Sequence, residues 1–291
     1  MQVIHDHQEK VVITRTYRVE TSHGSLAVEE SGQGEVPLLM IHGNSYSRGV
    51  FRHQLRSSLT ANHRLIAFDL PGCGESSDAP DPERTYTLQG SADAAIELLG
   101  KLGVSHAIVL GWSLGGHIGI EMIPRFAGLR GLMITGTPPV GPDEIPQAIK
   151  STQLLGLAFK EELSPAEVDA YVQGTVGESA ETFMREAVSR ADGRFRKTLF
   201  SSLGANPGPT QRQIVESIVT PISVVNGGAE PIVNIDYVET IRYANLWQRH
   251  CYRLAGLGHA PFWEGPGEFN HLLERFLADV ESGRASHSQA L

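Results

Sequence analysis

Cysteine is scarce in this chain: 291 residues contain two, Cys73 and Cys251. Neither stands in a metal-ligand spacing, and two thiols cannot make a disulfide framework, so the composition points to a reducing compartment, the cytoplasm. No run of 18 apolar residues exists, so no transmembrane helix is expected. Residues 1–10 lack the apolar stretch of a signal peptide. Positive charge is also in deficit: 24 Lys and Arg face 33 Asp and Glu, a net charge of -9, which argues against nucleic acid or an anionic membrane as the main partner. Internal repeats and low-complexity tracts are absent, and nothing indicates an obligate protein partner. His5-Asp6-His7 offers too few ligands for a closed metal site at a terminus and reads as a solvated tail. Residues 283–291 read as disordered.

What remains is an ordinary globular composition, 41% hydrophobic and 20% charged, long enough for one α/β domain with an insertion. Residues 11–20 and 25–30 alternate as two strands around the turn Ser22-His23-Gly24. Buried strands follow at 37–42, 65–70, 106–110 and 132–135, separated by helices expected at 51–59, 86–102 and after residue 113. Such alternation implies a mainly parallel sheet with helices on both faces. It breaks at Gly136-Thr137-Pro138-Pro139 and resumes at Pro221, leaving a helical insertion over 141–219. A short strand at 251–254 and a helix at 268–280 complete the chain. The expected division is a core of residues 1–140 and 220–291 with a helical cap of residues 141–219, whose apolar residues would in part line a pocket.

Gly111-Trp112-Ser113-Leu114-Gly115-Gly116 sits between a β-rich run and a segment of helical spacing. A serine at the apex of a tight strand-to-helix turn, flanked by glycines, fits a nucleophile elbow. A serine hydroxyl needs an imidazole to take its proton, and the imidazole needs a carboxylate to hold its tautomer. Both partners follow in the order this elbow requires: Glu230 after the strand ending near Gly227, and His259 in Gly258-His259-Ala260-Pro261. Asp143, Glu144 and Asp236 compete for the acid role, the first two too far past their strand, the third at a helix start where carboxylates are structural. The strand ending in His42-Gly43-Asn44 is placed to supply a second oxyanion donor, so the backbone N–H groups of Asn44 and Leu114 are expected to form the oxyanion hole. His42 reads as a buried, hydrogen-bonded structural residue. Gly43 and Trp112 are placed among the substrate-contacting residues, the Trp112 ring open to either pocket or core.

Taken together, His42-Gly43, Asp69-Leu70-Pro71-Gly72-Cys73-Gly74, the 111–116 elbow, Glu230 and His259 resemble the α/β-hydrolase fold. That implies a mostly parallel eight-stranded sheet with a helical cap inserted after the sixth strand. The strings His42-Gly43-Asn44-Ser45, residues 111–123, residues 131–140 and Gly258-His259-Ala260-Pro261-Phe262 more closely resemble the serine-dependent, metal-independent N-acyl-homoserine lactonases, which are quorum-quenching enzymes. The resemblance implies opening of an acylated lactone through Ser113, His259 and Glu230 and an acyl-enzyme, with no cofactor. It also places Tyr171 of the cap in contact with the substrate. Rival readings are a carboxylesterase, a carbon–carbon bond hydrolase acting on dienoic ring-cleavage products, and a non-catalytic receptor of the same fold. Dehalogenases and most epoxide hydrolases of the fold are disfavoured, because they resemble this elbow with aspartate where this chain has Ser113.

Overall fold

A computed structural model describes residues 12–203 and 208–285. The expected solvated tail at His5-Asp6-His7 and the expected disorder of 286–291 lie outside the described residues. Eight strands form one sheet: β1 (Thr14–Thr21), β2 (Gly24–Ser31), β3 (Leu38–Ile41), β4 (Leu65–Phe68), β5 (Ala107–Trp112), β6 (Leu129–Thr135), β7 (Ile222–Gly227) and β8 (Leu246–Leu254). Their spatial order is β1-β2-β4-β3-β5-β6-β7-β8. The first two strands make an antiparallel hairpin that joins β4 antiparallel, and β3 to β8 run parallel.

The central strands β3, β4 and β5 are apolar and buried at every position because both faces are covered. In β3, Leu39 and Ile41 point into one core and Leu38 and Met40 into the other. The first core packs under helices α1 (Leu88–Lys101) and α2 (Leu114–Met122). Thr87 caps α1 by accepting the Gly90 N–H at 2.9 Å, which fixes where that helix starts. The second core centres on Phe262, Phe269 and Phe276, from the chain that follows β8.

Between β6 and β7 the chain is helical. It includes α3 (Thr152–Phe159), α4 (Pro165–Val176), α5 (Thr182–Arg190), α6 (Gly193–Ser202) and α7 (Gln211–Val215). A final helix, α8 (Pro266–Glu281), packs on β6 and β8.

Three local expectations are corrected. The helix expected at 51–59 is two 3₁₀ turns, Arg48–Phe51 and Ser58–Ala61, around one short α turn at Arg52–Leu55. The Ser57 side chain stops that turn by accepting the Leu59 N–H, the local competition that serine offers a helix. The strand expected at 251–254 begins five residues earlier, at Leu246; Gln248 and Arg249 have positive φ, and this irregularity hid the strand's alternation. The segment expected to be disordered from 283 continues as a turn to Ala285, which is buried and donates its N–H to Asp279.

Candidate active site

Ser113 has φ 52° and ψ -115°, a left-handed conformation that L side chains avoid. Four hydrogen bonds hold it there. Its N–H donates to the Thr135 carbonyl at 2.8 Å, and its own carbonyl accepts Thr137 Oγ1 at 2.8 Å and the Gly116 and His117 N–H groups at 3.0 and 3.3 Å. Glycine is obligatory at 115, because a Cβ there would lie 1.9 Å from the Ile41 carbonyl oxygen. The turn therefore fits β3 and α2 together at van der Waals limits.

His259 follows β8. Its Nδ1 lies 2.9 and 2.8 Å from the two carboxylate oxygens of Glu230. Glu230 follows β7 and is buried; its Oε1 also accepts the Ile232 and Val233 N–H groups at 2.8 and 3.2 Å. Burial alone would raise the carboxyl pKa, but the His259 charge, its hydrogen bond and the two backbone donors outweigh burial, and the net displacement is downward. The two loops are stitched together: Gly228 N–H donates to Leu254 and Ala229 N–H to Leu257. Glu264 braces His259 from both sides, accepting the Gly258 and Ala260 N–H groups at 2.6 and 2.9 Å.

Ser113 and His259 line one cavity of about 340 Å³ between the sheet edge and the helical segment. Asn44, Leu114 and Tyr171 line it as well. The N–H groups of Asn44 and Leu114 make no hydrogen bond to protein among the described residues, so both donors are available to a ligand. The Asn44 loop is held from the helical side. Tyr171 donates its hydroxyl to the Asn44 carbonyl at 3.2 Å, and burial holds that phenol well above its ordinary pKa. Asn44 Nδ2 donates to the Ala158 carbonyl, Ser45 Oγ to Asn44 Oδ1, and the buried Arg196 guanidinium to Ser45 Oγ and the Lys160 and Glu161 carbonyls.

Two expected contacts are corrected. Trp112 is 1% exposed and does not line the cavity. Its ring packs on Tyr46, Phe262 and the face of His259, and its Nε1 donates to the His259 carbonyl at 2.9 Å. Gly43 does not line the cavity either; a Cβ there would meet the Trp112 ring at 2.9 Å, so glycine makes room for the tryptophan. His42 is fully buried, accepting the Leu70 N–H at Nε2 and donating from Nδ1 to the Gly43 carbonyl. Of the competing acids, Asp236 pairs with Arg253, Glu144 with Arg212 and the Gly141 N–H, and Asp143 is exposed to solvent.

Sequence reasoning missed Gly136, Glu264 and Arg196. Gly136 has φ 61°, and a Cβ there would sit 2.7 Å from the imidazole of His259. A glycine directly after a buried strand was the available signal. No cluster of three potential metal ligands exists among the described residues, and no helix there is long and apolar enough to cross a membrane.

The crystal structure of the N-acyl homoserine lactonase AidH, in complex with N-butanoyl homoserine, superposes with a TM-score of 0.88 at 47% identity, covering 91% of this chain and 97% of that one. Among curated proteins, the pimeloyl-[acyl-carrier protein] methyl ester esterase of Yersinia pseudotuberculosis is 27% identical over 85% of this chain and 95% of its own length. A 2-hydroxy-6-oxononadienedioate/2-hydroxy-6-oxononatrienedioate hydrolase of a Pseudomonas species is 23% identical over 88% and 93%. These similarities support a hydrolase of the lactonase and esterase type. Residues 38–272, which carry the elbow, the Asn44 loop and both partners of the imidazole pair, match the model of the alpha/beta hydrolase family, and the chain belongs to that family.

Proposed function

We propose that this protein opens the lactone ring of N-acyl-homoserine lactones through Ser113, His259 and Glu230, and so acts as a quorum-quenching enzyme of the cytoplasm. The observation that carries the reading is that Ser113 and the Glu230-held His259 open on one cavity whose described lining is mainly apolar and contains no Lys or Arg. That lining suits a neutral acyl chain, each buried CH₂ contributing about 0.8 kcal/mol. It suits poorly the dicarboxylate named for the Pseudomonas hydrolase, which needs a cation in a buried site. Two further crystal structures of AidH support the same residues: a serine-to-glycine variant with N-hexanoyl homoserine lactone and a glutamate-to-glycine variant with N-hexanoyl homoserine. Those two positions are as far apart along that chain as Ser113 and Glu230 are along this one.

In this mechanism His259 Nε2 takes the Ser113 proton as Oγ attacks the lactone carbonyl. The N–H groups of Asn44 and Leu114 hold the oxyanion, and Glu230 stabilises the imidazolium. Collapse breaks the ring C–O bond, and His259 returns the proton to the departing ring oxygen. The new hydroxyl stays tethered to the acyl-enzyme, where its high effective concentration favours re-closure. Tyr171, with its proton committed to the Asn44 carbonyl, keeps oxygen lone pairs free to accept that hydroxyl and hold it away. Water activated by His259 then releases Ser113 and leaves a carboxylate. The helical segment acts as the cap over this site.

Mass spectrometry of a medium-chain N-acyl-homoserine lactone incubated with the protein and a chelator tests the reading. Gain of one water, abolished by Ser113→Ala, is expected. Loss of the acyl chain would indicate an amide acylase, and hydrolysis of aryl esters without lactone opening would overturn the lactonase assignment.

A further inference from the structure

The cavity holds a second polar cluster that this reaction does not use. On α2, one turn beyond Ser113, His117 lines the wall, and Glu121 follows one turn later. Gln211, at the start of α7, and Gln89, on α1, face them. The orientation of the Gln211 amide is dictated by its neighbours. Its Nε2 lies 3.0 Å from Glu121 Oε1 and 3.1 Å from the His117 carbonyl oxygen, both acceptors. Its Oε1 is therefore the atom 2.6 Å from His117 Nδ1, and Nδ1 must carry the ring proton. Gln89 Nε2 donates to the other Glu121 oxygen at 3.1 Å, and no Lys or Arg pairs with Glu121 among the described residues. Burial holds His117 below the ordinary imidazole pKa, so the ring is neutral near pH 7. Its Nε2 is left as a bare lone pair, with no protein partner among the described residues, on a side chain that lines the cavity.

We propose that His117 Nε2 is a hydrogen-bond acceptor of the substrate pocket that selects acyl groups carrying a donor, a hydroxyl or an amide N–H, close to the scissile carbonyl. Gln211 and Glu121 fix the tautomer that makes it an acceptor. The proposal rests on the Ser113 ester-hydrolase reading and deepens it. The atom two bonds from the scissile carbonyl carbon is the amide nitrogen in an N-acyl-homoserine lactone and C3 in a simple acyl ester, so the amide N–H of the first and a 3-hydroxyl of the second donate to Nε2. A 3-oxo group of such an ester sets its own lone pairs against Nε2 and is disfavoured.

Aryl esters of matched unsubstituted, 3-hydroxy and 3-oxo acyl chains test this, together with N-acyl-homoserine lactones and alkyl γ-lactones that lack the amide. For the wild type, kcat/KM among the esters is expected to favour 3-hydroxy over 3-oxo by about fivefold or more, the worth of one net hydrogen bond. His117→Leu brings that ratio to about one while unsubstituted aryl esters stay within about threefold, which also shows that the variant folds. His117→Phe, closer in shape, serves if leucine does not fold. Gln211→Met, which leaves the ring but frees its proton, lowers the ratio part of the way. If His117→Leu instead erases only the advantage of acylamino over alkyl lactones, the donor is the amide N–H. If neither ratio moves in an active His117 variant, the proposal is overturned. A wild type that cleaves aryl esters and no lactone ends the lactonase reading, and the aryl-ester series still decides the role of His117.

Discussion

At the scale of single residues, the groups proposed to react were more legible in the sequence than their supports. Ser113, Glu230 and His259 each stand just past a strand, and strand ends are legible from apolar runs punctuated by glycine. Trp112 was misplaced among the substrate contacts, although Ile108, Leu110 and Trp112 alternate onto one face of β5 and pack in the same core. Gly136 was legible only as a glycine ending a buried strand, because its necessity lies in an imidazole 123 positions away in the chain. Gly136→Ala is expected to push His259 off its position and lower kcat about a hundredfold, the scale of a 1 Å misplacement. Steady-state kinetics with a chromogenic ester checks it. The depressed pKa of Glu230 carries a stability signature. Its contribution is present above the ordinary carboxylate value and is lost as pH falls through the lower folded value. The stability difference between wild type and Glu230→Gln is thus expected to be largest above about pH 5 and to shrink on acidification. Urea titrations across that range measure it.

Elements were legible where one period dominates and illegible where side chains interrupt the backbone. The long helix at Leu88–Lys101 and the parallel strands are of the first kind. The broken turns at 48–61 and the irregular start of β8 are of the second. How the helical segment would grip the Asn44 loop was invisible in sequence, since Arg196 meets Ser45 across 151 positions. Arg196 donates to three oxygens and pairs with no carboxylate among the described residues, and burial pulls its pKa below the ordinary guanidinium value. This is a costly residue to bury, and its effect is to set the loop of Asn44, a proposed oxyanion donor. Arg196→Met is expected to lower kcat about tenfold or more through the displaced Asn44 N–H, with KM for a short acyl ester changed less. Kinetics paired with thermal melting separates the loss of geometry from the loss of fold.

For the molecule as a whole, the two cysteines report on its integrity. Both are buried and unpaired, and burial pushes each thiol up to about 12. Neither should react with a thiol reagent at pH 8 while the sheet is intact. Cys73 lies in the core under α1 and Cys251 within β8, so the labelling of each by mass spectrometry distinguishes global unfolding from loss of one edge.

That edge has a consequence for how the enzyme fails. β8 is the last strand of the sheet, and the loops after β7 and β8 carry Glu230 and His259 as a stitched pair. Ser113, the proposed nucleophile, is anchored to the interior strands β5 and β6. Fraying of the outer strand withdraws the proposed acid and base together and leaves Ser113 in place. On warming, hydrolysis should therefore fade while most of the sheet persists, so that the enzyme falls silent before it unfolds and recovers on cooling without having to refold its core.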